Sequence, residues 1–309
     1  MTDAGTRAHV RAATTTSVHG IEQSIIPAQV FQMGDALGDR NHGDGEGPVH
    51  DVRIDSFSID STTVRIADFR AFVDDTDYRT EAEVFGFSAV FHLAVQAPQS
   101  ALLGPFPGTP WWVGVRGADW RHPGGANSSI IGMDDHPVTH ISWNDAMAYC
   151  DWAGRALPSE AQWEAASRGG LQGLRFPWGN DREDWRMNIW QGQFPVENTL
   201  EDGYLTTAPV RSYEPNAYGL WQTVGNVWEW CADWWSDNYY LVSPTDDPRG
   251  PDVGDRRVMR GGSYLCHDSY CNRYRNAARS SNTPDSSSGN LGFRTVSRAA
   301  PEAAVPGEG

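Results

Sequence analysis

Two cysteines stand five residues apart in the segment Arg260-Gly-Gly-Ser-Tyr-Leu-Cys266-His-Asp-Ser-Tyr-Cys271-Asn-Arg-Tyr-Arg-Asn-Ala-Ala-Arg-Ser280. A thiol acts as nucleophile or metal ligand in its thiolate form, which nearby positive charge favours. Arg260, Arg273, Arg275 and Arg279 are the candidates to supply that charge. By residue type alone the pair could be two packed thiols, a short disulfide, half of a zinc site, or a reactive dithiol. Zinc is the weakest of these, because a structural site wants four ligands and no second Cys or His pair of matching spacing follows. His267 beside Cys266 suggests a peptidase dyad, but adjacent side chains on an extended strand face opposite ways.

Other constellations have plainer explanations. His136 and His140 have zincin spacing, yet Pro137 between them disfavours one helix face and a structural role is expected. The run 188–204 carries Asn188, Glu197, Asn198, Glu201 and Asp202 among Gly and Pro, an oxygen-rich loop able to hold a hard cation or simply to hydrogen-bond its own turns. Gly225 to Glu229 offers a carboxylate beside backbone carbonyls in the same way.

The elements that must hold these residues are short. Phe31, Met33, Val52, Ile54, Phe57 and Ile59 alternate around a Gly/Asp-rich turn at 34–47 and predict strands. Phe69, Phe72 and Val73 predict a helix over 66–76. Ser142 as N-cap, Asp145 in the first turn and Gly154 as terminator bound a second helix, in which Cys150 is a buried thiol. Ser159 and Gln162 have capping-box spacing for a third, ending at Gly169 and Gly170. Residues 1–24 and 299–309 read as disordered tails flanking one domain over 25–298. Fourteen Trp and 32 Gly beside few long apolar runs predict a loop-rich, aromatic core with little regular structure.

The charge balance, 24 Lys and Arg against 40 Asp and Glu, gives a net charge of −16 and argues against nucleic acid or an anionic membrane as partner. Four cysteines are too few for a disulfide framework, no apolar run is long enough to span a membrane, and the first twenty residues lack the apolar stretch of a signal peptide. A monomeric cytoplasmic protein, in which thiols stay reduced, is the expectation.

Several motifs occur together and in order: Ile26-Pro27-Ala28 with Met33-Gly34, Asp135-His136-Pro137-Val138, Ser142-Trp143-Asn144-Asp145-Ala146, Leu157-Pro158-Ser159-Glu160-Ala161-Gln162-Trp163-Glu164 and Phe176-Pro177-Trp178-Gly179-Asn180. Asn188-Ile189-Trp190-Gln191-Gly192, Gly225-Asn226-Val227-Trp228-Glu229-Trp230, the two-cysteine segment, Asn282-Thr283-Pro284-Asp285-Ser286-Ser287 and Asn290-Leu291-Gly292-Phe293-Arg294 continue the series. Over residues 25–298 this pattern resembles the formylglycine-generating enzymes of the sulfatase-modifying-factor family.

The resemblance implies a single α+β domain of C-type-lectin-like ancestry. It implies oxidation of the cysteine in a Cys-x-Pro-x-Arg motif of an extended or unfolded sulfatase polypeptide to formylglycine, with O2 as co-substrate and a thiol as reductant. Cys266 and Cys271 would bind Cu(I), a soft ion suited to thiolates, and the substrate thiolate would join them. The family's older, metal-free proposal used the same pair through a disulfide or sulfenate. Ser263 and Trp228 fall on active-site positions, and Trp120, Ser287 and Asn290 on the substrate cleft. One structural calcium maps to Asn188, the Ile189 carbonyl, Asp202 and the Tyr204 carbonyl. A second maps to Gln222, the Gly225 and Val227 carbonyls and Glu229, with Gln222 one methylene longer than the Asn of the animal enzymes. Asn276 and Thr295 stand where secreted relatives carry extra cysteines. The competing reading is a non-catalytic peptide- or glycan-binding module of the same fold.

Overall fold

Alternation of apolar and polar residues closes the first hairpin. Strand β1 (Gln23–Ile26) is followed by β2 (Gln29–Met33) and β3 (His50–Ile54), and β2 and β3 pair antiparallel with Phe31 opposite Val52 and Met33 opposite His50. Phe31, Met33, Val52 and Ile54 all point into the core. The computed structural model describes residues 19–183 and 185–297. Residues 1–18 of the expected N-terminal tail and all of the expected C-terminal tail, 299–309, lie outside those residues. Residues 19–24 do not belong to a tail: Ile21 is buried, the His19 ring bonds Asp60 at 2.8 Å, and β1 pairs with β4 (Phe57–Asp60). The buried Ile21, the buried Asp60 carboxylate and the pairing with β4 hold this short run in place.

The expected helices form where their caps stand. Helix α1 (Ile66–Thr76) buries Ile66, Phe69, Phe72 and Val73. After α2 (Glu81–Phe85) come β5 (Phe87–Phe91), β6 (Leu102–Phe106) and β7 (Thr109–Arg116), which make a sheet in the order β5-β7-β6. Helix α3 (Trp143–Ala153) starts with the reciprocal Ser142 and Asp145 capping box and ends on Gly154 in the left-handed region. Strand β8 (Arg155–Ala156) leads to α4 (Glu160–Ser167), capped by Ser159 and Gln162 and ending slightly before the expected Gly169. Residues 136–140 form no helix, and His140 has a positive φ of 60°.

Two further sheets frame the centre. Strands β9 (Gly192–Gln193) and β10 (Glu197–Asn198) form a small ribbon, and then β11 (Trp228–Trp234), β12 (Arg257–Arg260), β13 (Arg279–Asn282) and β14 (Leu291–Gly292) assemble in the order β13-β12-β11-β14. Strand β15 (Val296–Ser297) completes the sheet β1-β4-β15-β8. Among the described residues helix makes up 16% and strand 24%, so turns and loops carry most of them, as expected. Trp120, Trp163, Trp190 and Trp230 are fully buried between these layers.

A chain of buried ion pairs ties α4 to the β12–β13 hairpin. Glu164 bonds Arg168 at 2.7 Å and also pairs with Arg260; Glu160 bonds Arg279 at 2.6 and 2.7 Å. Arg294 holds Glu229 at 2.6 and 2.8 Å, and Arg275 holds Glu46 at 2.7 and 2.8 Å. Removing one partner of such a pair leaves an uncompensated buried charge, a loss of about 3–5 kcal/mol. Among the described residues no helix is long and apolar enough to cross a membrane.

Candidate active site

The connection from Arg260 to Arg279, which face each other in the β12–β13 register, carries both cysteines. Gly261 and Gly262 turn the chain out of β12 with φ of 93° and 71°. A Cβ at Gly262 would lie 2.7 Å from the Arg273 carbonyl, so the start and end of the loop touch only because that residue lacks a side chain. The Cys266 amide donates to the Ser263 carbonyl at 2.9 Å and the Cys271 amide to the His267 carbonyl at 3.0 Å. Asn41 pins the Cys271 carbonyl at 2.8 Å, and the Trp190 amide pins that of Cys266 at 3.1 Å. The segment is a series of turns and not a strand. His267 uses its ring on Ser269 at 2.9 Å, which is why it forms no dyad with Cys266.

Both thiols are free and buried, and each shifts the ionisation of the other. Burial, then the contact with Cys271, pushes the Cys266 thiol well above its ordinary pKa. Burial pushes Cys271 up as well, but the Cys266 thiol, the backbone at Arg273 and His267 and the Arg273 charge outweigh it, and the result is below the ordinary value. The pair therefore loses its first proton readily and keeps the second. Arg273 is the cation at the thiols, anchored by Asp44 at 2.6 and 3.1 Å. The other candidate arginines, Arg260, Arg275 and Arg279, are committed to the buried carboxylates described above.

The thiols open on a cleft of about 650 Å³ lined by Trp228, Ser263, Tyr270, Arg273, Asp285, Ser287 and Asn290, and on its far side by Phe85, Phe87, Ser88, Phe106 and Trp112. Asn290 donates to the Ser263 hydroxyl at 2.8 Å and the Leu265 amide does so at 3.3 Å, so the Ser263 proton remains free to donate into the cleft. Trp228 closes the apolar side of the cysteine cluster, and Tyr270 stacks on Phe194 at 4.2 Å.

Of the expected site residues, Cys266, Cys271, Ser263, Trp228, Ser287 and Asn290 thus come together. Trp120 does not. It is 1% exposed, packs edge-on against Phe69 and faces a separate hollow with Arg70 and His122, because apolar area draws the indole into the core beside α1. Residues 85–112 were not singled out from the sequence as cleft residues. The one signal there is Ser88, a hydroxyl on the inward face of an apolar strand.

The two oxygen-rich regions differ in how they suit a cation. Asn188 is buried, donates its amide to the Thr206 carbonyl and Asn226, and leaves its Oδ1 without a partner. Asp202 accepts from the Tyr204 amide and the Tyr213 hydroxyl, with lone pairs to spare, and Ile189 is buried next to Asn188. An orphaned buried carbonyl oxygen beside a carboxylate loop fits a hard cation. In the second region Gln222 likewise has an unpartnered Oε1, while Glu229 accepts from Arg294 on both oxygens and from the Trp163 indole on Oε2 at 2.8 Å, which leaves a lone pair on Oε1. A guanidinium already neutralises that carboxylate, so the Gln222, Gly225, Val227 and Glu229 set suits a calcium ion less than the first does. For copper the donor set fits: two buried thiols in contact, one readily ionised.

The chain matches the family described as the sulfatase-modifying factor enzyme 1-like domain over residues 9–299. It is 60% identical over 291 residues to the formylglycine-generating enzyme of Streptomyces coelicolor, covering 93% of this chain and 92% of that protein. It is 44% identical to a protein of Bos taurus named inactive C-alpha-formylglycine-generating enzyme 2, covering 89% and 87%. Among solved structures, PvdO from Pseudomonas aeruginosa superposes with a TM-score of 0.64 at 23% identity over 89% of this chain and 93% of that one, a likeness of fold.

Proposed function

The chain belongs to the sulfatase-modifying factor family, and on that premise we propose that it oxidises a cysteine of sulfatase polypeptides to formylglycine. The observation that carries the reading is the pair of free, buried thiols of one cluster lining a peptide-sized cleft. The target is a Cys-x-Pro-x-Arg segment, extended or unfolded, since a folded domain could not present a cysteine at that depth. Asp285 at the rim offers a carboxylate to its arginine.

The balance is one peptide cysteine thiol with its methylene, one O2 and two molecules of reductant thiol giving one aldehyde, one hydrogen sulfide, one water and one disulfide. Cys266 and Cys271 would hold Cu(I), which supplies one-electron reactivity toward O2 that a closed-shell thiol lacks. The chain's own groups do the rest. Arg273 favours the thiolate at Cys271; Ser263 directs its proton into the cleft; Trp228 packs against the thiol cluster and keeps water from it. A structural calcium belongs at Asn188, Ile189, Asp202 and Tyr204. Free thiols fit a reducing, cytoplasmic setting, and a single-domain monomer is the proposed working unit.

Mass spectrometry of a Cys-x-Pro-x-Arg peptide incubated with the protein, Cu(I), O2 and a thiol reductant tests this. Replacement of the thiol by an aldehyde is expected, and its loss in C266S and C271S with an unchanged thermal midpoint. Turnover retained in either variant refutes the roles of the thiols. Binding without any mass change establishes the non-catalytic role that the bovine relative's name raises.

A further inference from the structure

Ser287 faces the cleft, and behind it runs a file of buried polar groups unrelated to the thiols. Its Oγ lies 2.7 Å from the Ser88 Oγ; Ser88 lies 2.8 Å from His140 Nδ1; His140 Nε2 lies 2.9 Å from the Pro123 carbonyl. Ser88 and His140 are 1% and 0% exposed. The Pro123 oxygen can only accept, so Nε2 carries the hydrogen. Burial holds His140 down to about 4, so the ring is neutral and Nδ1 accepts. Ser88 must then donate to Nδ1, and with its one hydrogen spent it can only accept from Ser287. The Ser287 proton is drawn into the wall and its free lone pairs face the cleft.

We infer that His140 and Ser88 are positioning residues that fix the Ser287 hydroxyl as an acceptor-only subsite for an N–H group of the bound peptide. The local backbone supports that task. His140 N donates to the Ser288 carbonyl at 2.9 Å and Gly289 N to the Ala89 carbonyl at 3.0 Å, so the 287–289 loop is tied to the His140 turn on one side and to β5 on the other. The subsite rests on the reading of the cleft as a peptide site, and the test separates the two.

KM and kcat for the Cys-x-Pro-x-Arg peptide are measured for wild type, S287A, S88A, the S88A/S287A double and H140N. Asn tolerates the positive φ of His140 and can place an acceptor near Nδ1. S287A and S88A are expected to raise KM about tenfold, the worth of one peptide hydrogen bond, with kcat within about threefold. The double should match S287A alone, since both act through one hydroxyl, and H140N should keep KM within about threefold of wild type. In 15N spectra His140 should stay a neutral Nε2–H tautomer from pH 5 to 8. An S88A KM equal to wild type, additive effects in the double, or a His140 that titrates in that window overturns the subsite while conversion persists. No conversion by wild type overturns the cleft reading and the subsite with it.

Discussion

Arg273 favours the ionised form of both thiols. It lines the cleft and is held by Asp44, while burial and the contact between the two thiols raise Cys266 and the Cys266 thiol, the backbone at Arg273 and the Arg273 charge bring Cys271 below its ordinary range. Removing a positive charge disfavours the thiolate, so R273M should move the midpoint of Cys271 alkylation, followed residue by residue by mass spectrometry, up by about one pH unit. R273K should leave it near wild type. An unmoved midpoint in R273M would show that backbone donors at Arg273 and His267, not the side-chain charge, set the ionisation. The sequence offered four arginines for this role and could not rank them. Three of them are neutralised by Glu46, Glu160 and Glu164, carboxylates roughly one hundred to more than two hundred residues away, a pairing that no local spacing encodes.

At the scale of elements, the caps were legible because they are local. Ser142 with Asp145, Ser159 with Gln162 and Gly154 each satisfy helix-end groups within a few residues of themselves. The loop from Asn188 to Tyr204 is different: its cation-binding capacity depends on an oxygen left unpartnered after the Asn188 amide turns to Thr206 and Asn226. Chelation of calcium from wild type should lower its thermal midpoint by about 5 °C, the shift expected for a site near saturation. N188A should melt lower in all conditions but no longer respond to calcium, as read by scanning calorimetry with and without chelator. A wild-type midpoint indifferent to calcium would remove the ion from this loop.

At the scale of the molecule, stability depends on charges packed behind the cleft. Burial, and then the nearby Glu160, push the Asp233 carboxyl up to about 7. Below the ordinary carboxylate range both folded and unfolded chains carry that proton. Between about 4 and 7 the unfolded chain has released it and the folded chain has not, so the stability it contributes is lost as pH rises, on the order of 1 kcal/mol per pH unit. D233N keeps an acceptor for the Glu160 amide, which lies 2.7 Å away, and removes the titration. Its thermal midpoint should fall less than that of wild type between pH 4.5 and 7.5; parallel curves would show that Asp233 ionises freely in the folded protein.

The sequence by itself determined what short-range chemistry determines: the β2–β3 alternation, the helix caps, the loop-rich aromatic composition, and the family, whose motifs lie in order along the chain. It also marked the two thiols, because their residue type and spacing are local facts. Tertiary structure decided which groups surround them. Ser88 reaches the cleft from β5 with His140 behind it on a left-handed turn, Trp120 leaves the cleft for the core, and Glu229 is claimed by Arg294. Each of these outcomes is a competition for burial or for a charge partner between residues distant in sequence, and only packing sets the winner.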